Sequence, residues 1–238
     1  TTSAIVLASR KYGDSSKIVS IYTEDFGKVS IIAKGSRAQK NKFGSSLDPL
    51  SCSRITFYKS PHKDLHLASA AETHINLKDL KTDLGKMKPA FMVAESVSRT
   101  QTEGDANPEL FALIAETFLA IDRAARNPFA GFVRFELALL DMMGFSPDFS
   151  EQQEWGHDVA FNIVEGRSGG SATSNYNNCI RLRKPVWEVL SSISVREASE
   201  AFAVDITGQD EIELQDFFAR YLSYHTDQKF SFRSFGLL

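Results

Sequence analysis

Four basic side chains stand close together in residues 33–50, within the run AKGSRAQKNKFGSSLDPL. Two glycines, one phenylalanine and a single acidic residue share that run with Lys34, Arg37, Lys40 and Lys42. Lysine and arginine donate hydrogen bonds to phosphate oxygens, and glycine lets a backbone approach such a ligand closely. The run predicts a loop that binds nucleic-acid phosphates, although a solvated charged face would have the same composition.

Aromatic side chains near the basic run could add base stacking to phosphate binding. A base stacks on an aromatic ring for about 1–3 kcal/mol. Phe43 lies inside the basic run, so its ring is the best candidate for stacking on bases, although an apolar side chain that anchors the loop fits the same position. Phe57 and Tyr58 are neighbours in a predicted strand, so only one of them can face outward. On charge alone, the predicted nucleic-acid-binding set also includes Arg54, Lys59 and Lys63.

A rival interpretation concerns the neighbouring run PHKDLHLASAAETH. His62, Asp64 and His66 alternate, so in a strand they would project from one face, as the ligands of a metal-dependent hydrolase might be arranged. The same spacing fits a solvated polar strand face. No HExxH, P-loop or G-x-S-x-G motif accompanies these residues. We therefore predict a binding protein without catalytic residues, metal or cofactor, and a generic protein-interaction module stays as a further alternative.

The charge of the chain is unevenly distributed. Residues 1–78 contain 12 Lys and Arg against 6 Asp and Glu, a balance of +6, whereas residues 79–238 contain the remaining 15 and 24, a balance of -9. A polyanion is therefore expected to bind the N-terminal part. No apolar run approaches the roughly 20 residues that span a bilayer, so we expect a cytoplasmic protein without membrane contact.

Runs rich in β-branched and aromatic residues dominate the N-terminal part. Five of them are typical of strands: SAIVLASR, KIVSIYT, KVSIIA, SRITFYK and LHLASAAE. The connection TEDFGK has the composition of a hairpin turn. Five short strands with one long basic loop predict an oligonucleotide-binding (OB) barrel over residues 1–78, although an SH3-like barrel would give the same pattern.

After Asn76 the apolar period changes from two residues to about 3.6, the period of an α-helix. The runs PELFALIAETFLAIDRAAR, GFVRFELALLDMMGF and DEIELQDFFARYLSYH each place apolar residues on one helical face. They predict an all-α helical domain over residues 79–238, interrupted by an insert at about 145–183 that is rich in Gly, Ser and Asn. The predicted fold class is α+β and multidomain.

Several runs carry a family resemblance that covers almost the whole chain. KYGDSSKIVSIYTEDFGKVSIIAKGSR resembles the opening of the RecO family of bacterial recombination mediators, with its Tyr-Gly-acid step and its Ala-Lys-Gly-x-Arg motif. KFGSSLDPL is similar to the loop that follows in the family. FELALLDMMGFSP and YLSYHTDQKFSFRSF resemble its helical-domain segment and its C-terminal end.

The resemblance implies a function as well as a fold. It implies an OB barrel on a helical domain, binding of single- and double-stranded DNA, and annealing of complementary strands in recombinational repair. It also implies loading of the RecA recombinase onto DNA coated by single-stranded DNA-binding protein (SSB), with RecR as partner and RecF as a further candidate. Lys34 and Arg37 occupy the matching motif, so they are the first candidates for DNA contact.

Two further expectations concern the helical domain. Many family members carry a four-cysteine zinc module after the segment that FELALLDMMGFSP resembles, but here that region offers only Cys179 and His157. A structural zinc site needs about four ligands, so we predict a zinc-free insert. The family also implies that the acidic C-terminal tail of SSB binds the helical domain, and Arg134, among apolar helix residues, is the predicted contact.

Overall fold

The computed structural model describes residues 1–59, 64–150, 158–168, 178–196 and 200–233. The chain divides into two compact units, Thr1–Arg123 and Ala124–Leu238, which we call the barrel unit and the helical unit. In the part of the chain that the structure describes, no helix is both long enough and apolar enough to cross a membrane.

Five strands form a closed barrel in the first unit, in the order β1-β2-β3-β5-β4 with β4 paired back to β1. Neighbouring strands run antiparallel except for β3 and β5, which are parallel. This is the five-stranded Greek-key barrel of an OB fold, so the predicted fold is confirmed and the SH3-like alternative is excluded. The strands are β1 (Thr2–Tyr12), β2 (Ser16–Thr23), β3 (Gly27–Ala33), β4 (Cys52–Tyr58) and β5 (Leu65–Ile75).

Alternation along the strands builds the barrel interior. Val19, Ile21 and Ile31 are fully buried in the barrel core. The side chains next to them along each strand point to the opposite face of the sheet. The loop between β3 and β4 contributes Phe43 and Leu47 to the same cluster. The long loop is therefore held by the barrel core and is not an unattached basic arm.

Helices α1 (Leu84–Thr100) and α2 (Pro108–Arg123) belong to the barrel unit. β3 pairs with β5 only from Ser30 onward. Before Ser30, the α1–α2 connection takes the place of β5 beside β3, with Glu103 next to Lys28. There the Gly104 amide donates to the Lys28 carbonyl at 2.9 Å, and Lys28 Nζ donates to the Ser98 carbonyl at 2.8 Å. These bonds explain why the compact unit extends to Arg123, beyond the boundary at residue 78 that composition suggested.

In its described residues, the helical unit combines three α-helices and a short 3-10 helix (Ala201–Ala203) with a small sheet of strand order β7-β6-β8. The sheet lies inside the predicted insert, and Phe161 of its central strand contacts Phe149 and Phe217 with ring centroids 5.4 and 5.3 Å apart. The described part of the insert is thus packed by aromatic side chains. Its elements are α3 (Phe129–Met142), β6 (Asp158–Asn162), β7 (Arg167–Ser168), β8 (Cys179–Arg183), α4 (Lys184–Val195) and α5 (Gly208–Thr226).

Candidate nucleic-acid interface

The loop between β3 and β4 is anchored by its apolar residues. Phe43 is only 2% exposed and Leu47 only 1% exposed, both in the barrel core. Asn41 Oδ1 accepts hydrogen bonds from the amides of Phe43 and Gly44 at 2.9 and 2.7 Å. The predicted stacking role of Phe43 is wrong, because a buried ring that fixes the loop cannot contact a base.

Basic side chains project from this anchored loop. Lys34, Lys40 and Lys42 are exposed, and no described residue forms an ion pair with any of them. Arg37 is exposed too, and its Nη1 donates to the Gly13 carbonyl at 3.0 Å, which ties the loop to the β1–β2 turn. A guanidinium has five N–H donors, so most remain for a ligand.

The single acid of the loop does not neutralise this cluster. Asp48 accepts a hydrogen bond from Lys17 Nζ at 2.9 Å. Lys17 lies on β2, outside the group of lysines that project from the loop. The positive potential around Lys34 and Arg37 is therefore left for a polyanion.

The register of the barrel aligns one residue from each strand across its outer surface. In this alignment each residue lies directly opposite the next across a strand pair. Val19, Ile31 and Ala68, which adjoin members of the row along their strands, are buried in the barrel core. Tyr58 is 68% exposed and Leu67 39% exposed. We call this set the outer row: Arg10, Ile18, Ile32, Leu67 and Tyr58.

The end of β1 supplies residues that the sequence argument missed. Arg10 and Tyr12 lie two residues apart on one face of β1, and Tyr12 is 50% exposed. Lys11 pairs with Lys17, which pairs with Ala33, so this end of β1 lies beside the start of the basic loop at Lys34. The alternation of Arg10 and Tyr12 in the sequence places both side chains on one face of β1. Sequence alone could not show that this face is the outer one.

Three charge-based candidates lie elsewhere or cannot be placed. Arg54 is exposed on β4 directly opposite Glu72 of β5, so an acid partly offsets its charge. Lys59 Nζ lies 5.7 Å from the ring centroid of Phe26, which belongs to the turn between β2 and β3. Lys63 lies outside the described residues. Arg54 and Lys59 therefore do not extend the cluster around Lys34.

The rival metal residues are not assembled in the described structure. His66 stacks on Phe57 with centroids 5.8 Å apart and an interplanar angle of 12°. Asp64 precedes β5, and His62 and the insert residue His157 lie outside the described residues. Within the described ranges, no three His, Cys, Asp or Glu side chains come together as a metal site would require.

Arg134 borders a pocket of about 330 Å³ in the helical unit. Its Nη1 donates to the Arg196 carbonyl at 2.8 Å, which fixes the guanidinium between α3 and the end of α4. Apolar and polar residues line the pocket wall in equal number, and besides Arg134 they are Leu137, Ala138, Pro147, Ile193, Asp141, Ser146 and Ser194. Arg134, the predicted contact for the SSB tail, therefore lies at the edge of a pocket.

The closed five-stranded barrel with its basic β3–β4 loop defines an OB-fold protein, a class in which many members bind oligonucleotides or oligosaccharides. Comparison with known families identifies it further. The family described as "Recombination protein O N terminal" matches residues 1–75, and "Recombination protein O C terminal" matches residues 81–233. The chain belongs to the RecO family.

Individual relatives agree with this assignment. A "DNA repair protein RecO" of a Thermoanaerobacter species is 22% identical over 98% of this chain and 95% of its own length. The protein of that name from Chlorobaculum parvum is 32% identical over 69% of this chain and 63% of its own length. The Salinibacter ruber protein is 29% identical over 61% of this chain, a match that spans 56% of that relative.

Proposed function

We propose that this protein is a DNA-binding recombination mediator that acts by binding, without covalent catalysis. The observation that carries the proposal is the anchored β3–β4 loop, whose exposed Lys34, Lys40 and Lys42 have no ion-pair partner among the described residues. Relatives that carry the name DNA repair protein RecO support the same role. Phosphate contacts of this kind position a strand without reading its sequence, as a mediator requires.

The basic cluster also supports a mechanism for annealing. Two DNA strands repel each other through their phosphates, and cations that neutralise part of this charge lower the repulsion. Strands held at the barrel unit can then pair through their bases. In the same proposal, the protein cooperates with RecR, and with RecF as a further partner, to load RecA onto SSB-coated DNA in the bacterial cytoplasm. Faster RecA filament formation on such DNA in the presence of RecR is the measurement for this step.

The pocket beside Arg134 is the proposed site for the SSB tail. An acidic peptide with apolar side chains would place the latter against Leu137 and Ile193 and a carboxylate near the Arg134 guanidinium. Asp141 on the same wall would disfavour a second carboxylate there. Native affinity of an Arg134→Glu variant for the tail peptide would contradict this contact.

The test of DNA binding is fluorescence anisotropy of a labelled single-stranded oligonucleotide at several salt concentrations. The Lys34→Glu/Arg37→Glu variant should lose about 10- to 100-fold in affinity, because two phosphate contacts become repulsive. The slope of log affinity against log salt should fall in magnitude by about 1.4, since each contact to a single strand contributes about 0.7. Circular dichroism checks that the variant is folded.

A charge-matched control separates a local site from net charge. Lys78→Glu/Arg123→Glu changes the charge by the same amount at two exposed positions outside the barrel strands and the β3–β4 loop. This control should bind almost like the native protein. Equal losses in both variants would contradict the proposed site, and absence of DNA binding by the native protein would contradict the function itself.

A further inference from the structure

We infer that Lys81 is a positioning residue for the proposed nucleic-acid interface, because it holds the C-terminal end of the β3–β4 loop without touching DNA. The inference rests on the proposed function, since it concerns how the basic loop keeps its binding geometry. Lys81 lies outside that loop and outside the barrel strands, in the segment between β5 and α1. It is 30 residues from its hydrogen-bond partner in the loop, so sequence proximity does not connect the two.

The loop re-enters the barrel at its last two residues, Leu50 and Ser51. The Ser51 carbonyl accepts a hydrogen bond from the Val6 amide at 2.9 Å, and the Leu50 amide donates to the Val6 carbonyl at 2.9 Å. Leu50 has φ +65°, in the left-handed region that residues other than glycine seldom adopt, and it is only 1% exposed. This end of the loop therefore has one defined conformation, which the surrounding contacts must hold.

Two hydrogen bonds connect Lys81 to the middle of the loop through one hydroxyl. Lys81 Nζ donates to Ser51 Oγ at 2.7 Å, and Ser51 Oγ donates its single hydrogen to the Ser45 carbonyl at 3.0 Å. Ser51 is fully buried, and a buried hydroxyl that loses a partner destabilises its surroundings. Removal of the Lys81 ammonium should therefore loosen the part of the loop between Ser45 and Ser51.

A second attraction acts on the same part of the loop. The Asp48 carboxylate accepts a hydrogen bond from Lys17 Nζ at 2.9 Å and also attracts the Lys81 ammonium. Burial lowers the pKa of Lys81, and the attraction to Asp48 partly opposes that shift. Residues 45–51 are thus held between two lysines, one from β2 and one from the segment that follows β5.

The segment that carries Lys81 is itself fixed by α2. The Leu80 amide donates to Asp122 Oδ1 at 2.8 Å, and Lys86 Nζ donates to the Asp122 carbonyl at 2.7 Å. The Leu80 side chain is fully buried. Because its support is rigid, Lys81 can restrain the loop, and the helices of the barrel unit contribute to the geometry of the basic surface.

A restraint at this end of the loop acts close to the exposed cations. Lys42 precedes Ser45 by three residues, and Phe43 between them is held in the barrel core. A segment that is already ordered loses less conformational entropy when it binds a ligand. We therefore expect that release of the restraint weakens DNA binding without the loss of a phosphate contact.

The binding experiment compares native protein with Lys81→Met, Lys81→Arg and Lys78→Met, using a labelled single-stranded oligonucleotide. Lys81→Met should weaken the affinity about 3- to 10-fold, and Lys81→Arg, which keeps a cation and a donor, should restore most of it. The slope of log affinity against log salt should stay native, because loss of a direct phosphate contact would lower its magnitude by about 0.7. Lys78→Met removes the same charge at an exposed position three residues earlier and should bind like native protein.

Hydrogen exchange measured on the full chain separates a local restraint from general stabilisation. In Lys81→Met, the hydrogen-bonded amides of residues 46–51 should exchange faster, whereas those of α5 in the other unit should keep their native rates. Ser51→Ala removes the acceptor of the Lys81 bond. The double variant Lys81→Met/Ser51→Ala should therefore bind DNA no more weakly than Ser51→Ala alone.

Several outcomes would overturn the inference. Native affinity of Lys81→Met, a salt slope reduced by about 0.7, or faster exchange throughout α5 would each show that Lys81 does not position the loop. Additive losses in the double variant would show the same. Native protein that binds no DNA would instead overturn the proposed function. The exchange measurement needs no DNA, so unchanged exchange of residues 46–51 would overturn the restraint independently.

Discussion

The two compact units use their basic side chains in opposite ways. In the barrel unit, Lys34, Lys40 and Lys42 project from a loop without an ion-pair partner among the described residues. In the helical unit, Arg183 donates to Asp210 Oδ1 at 2.5 Å and to Glu213 Oε2 at 2.6 Å. Arg183 thus holds two elements of its unit together through nearby carboxylates, whereas the loop lysines, which lack such carboxylates among the described residues, are the ones for which we propose a ligand role.

Burial explains the cost and benefit of each arrangement. Asp210 is almost fully buried, and burial alone would raise the pKa of its carboxyl. Hydrogen bonds from Thr207 and Arg183 outweigh that effect and hold the pKa below its ordinary value. The lysines of the loop keep their hydration, so a phosphate can displace solvent without breaking an existing ion pair.

The largest expected effect concerns a close backbone approach in the barrel unit, between the start of β3 and the α1–α2 connection. Gly27 has φ +62°, and a Cβ there would lie 1.9 Å from the Asp105 carbonyl oxygen. Gly27→Ala should lower the free energy of unfolding by about 3–5 kcal/mol, because strain and a clash with backbone act together. Gly35→Ala is the control, since Gly35 has φ +71° but no atom near the added Cβ, and it should cost about 1–2 kcal/mol. Similar losses in urea unfolding would show that the close approach does not matter.

The second prediction removes the charge pairing of the helical unit. Arg183→Met should lower the free energy of unfolding by about 2–3 kcal/mol, because Asp210 would remain buried without its cation. The exposed pair Arg126–Asp205, with side chains 78% and 81% exposed, is the comparison, and Arg126→Met should cost less than about 0.5 kcal/mol. Equal decreases of the unfolding temperature in Arg183→Met and Arg126→Met would contradict the expected difference between buried and exposed ion pairs.

The smallest effect concerns a half-buried histidine of the helical unit, His225. His225 stacks on Phe145 and lies 3.1 Å from the Ile163 carbonyl oxygen through Nε2. Burial lowers the pKa of this imidazole, although the Ile163 carbonyl partly opposes the shift. The unfolded chain therefore binds the proton more readily, so stability is full above about pH 6.5 and falls as the pH drops below it, by at most about 1.4 kcal/mol per pH unit.

Unfolding in urea at several pH values measures this dependence. In His225→Gln the same fall should be weaker, because no group at this position gains a proton. The His74→Gln variant of the exposed β5 histidine provides the control and should keep the native pH profile. Identical profiles for native protein and His225→Gln would assign the pH response to other groups.

Much of the fold follows from local pattern. The five strands and the amphipathic helices were predicted from periods of two and 3.6 residues, because each segment must hide one apolar face. The basic run was equally visible, since charge can be read along the chain. Phe43 stood out as an apolar residue in a polar loop, and such a residue can anchor the loop as well as bind a ligand. The sequence alone could not decide between these two roles.

The barrel strands, the amphipathic helices, the position of the basic loop and the family likeness could be predicted from the sequence, because each depends on residues close together in the chain, whereas the small sheet of the helical unit was not predicted. Only the tertiary structure decided that Arg10, Ile18, Ile32, Leu67 and Tyr58 share one outer row. Strand register and barrel closure bring these positions together, and neither can be read from a single strand, because a shift of one residue would turn each side chain to the other face.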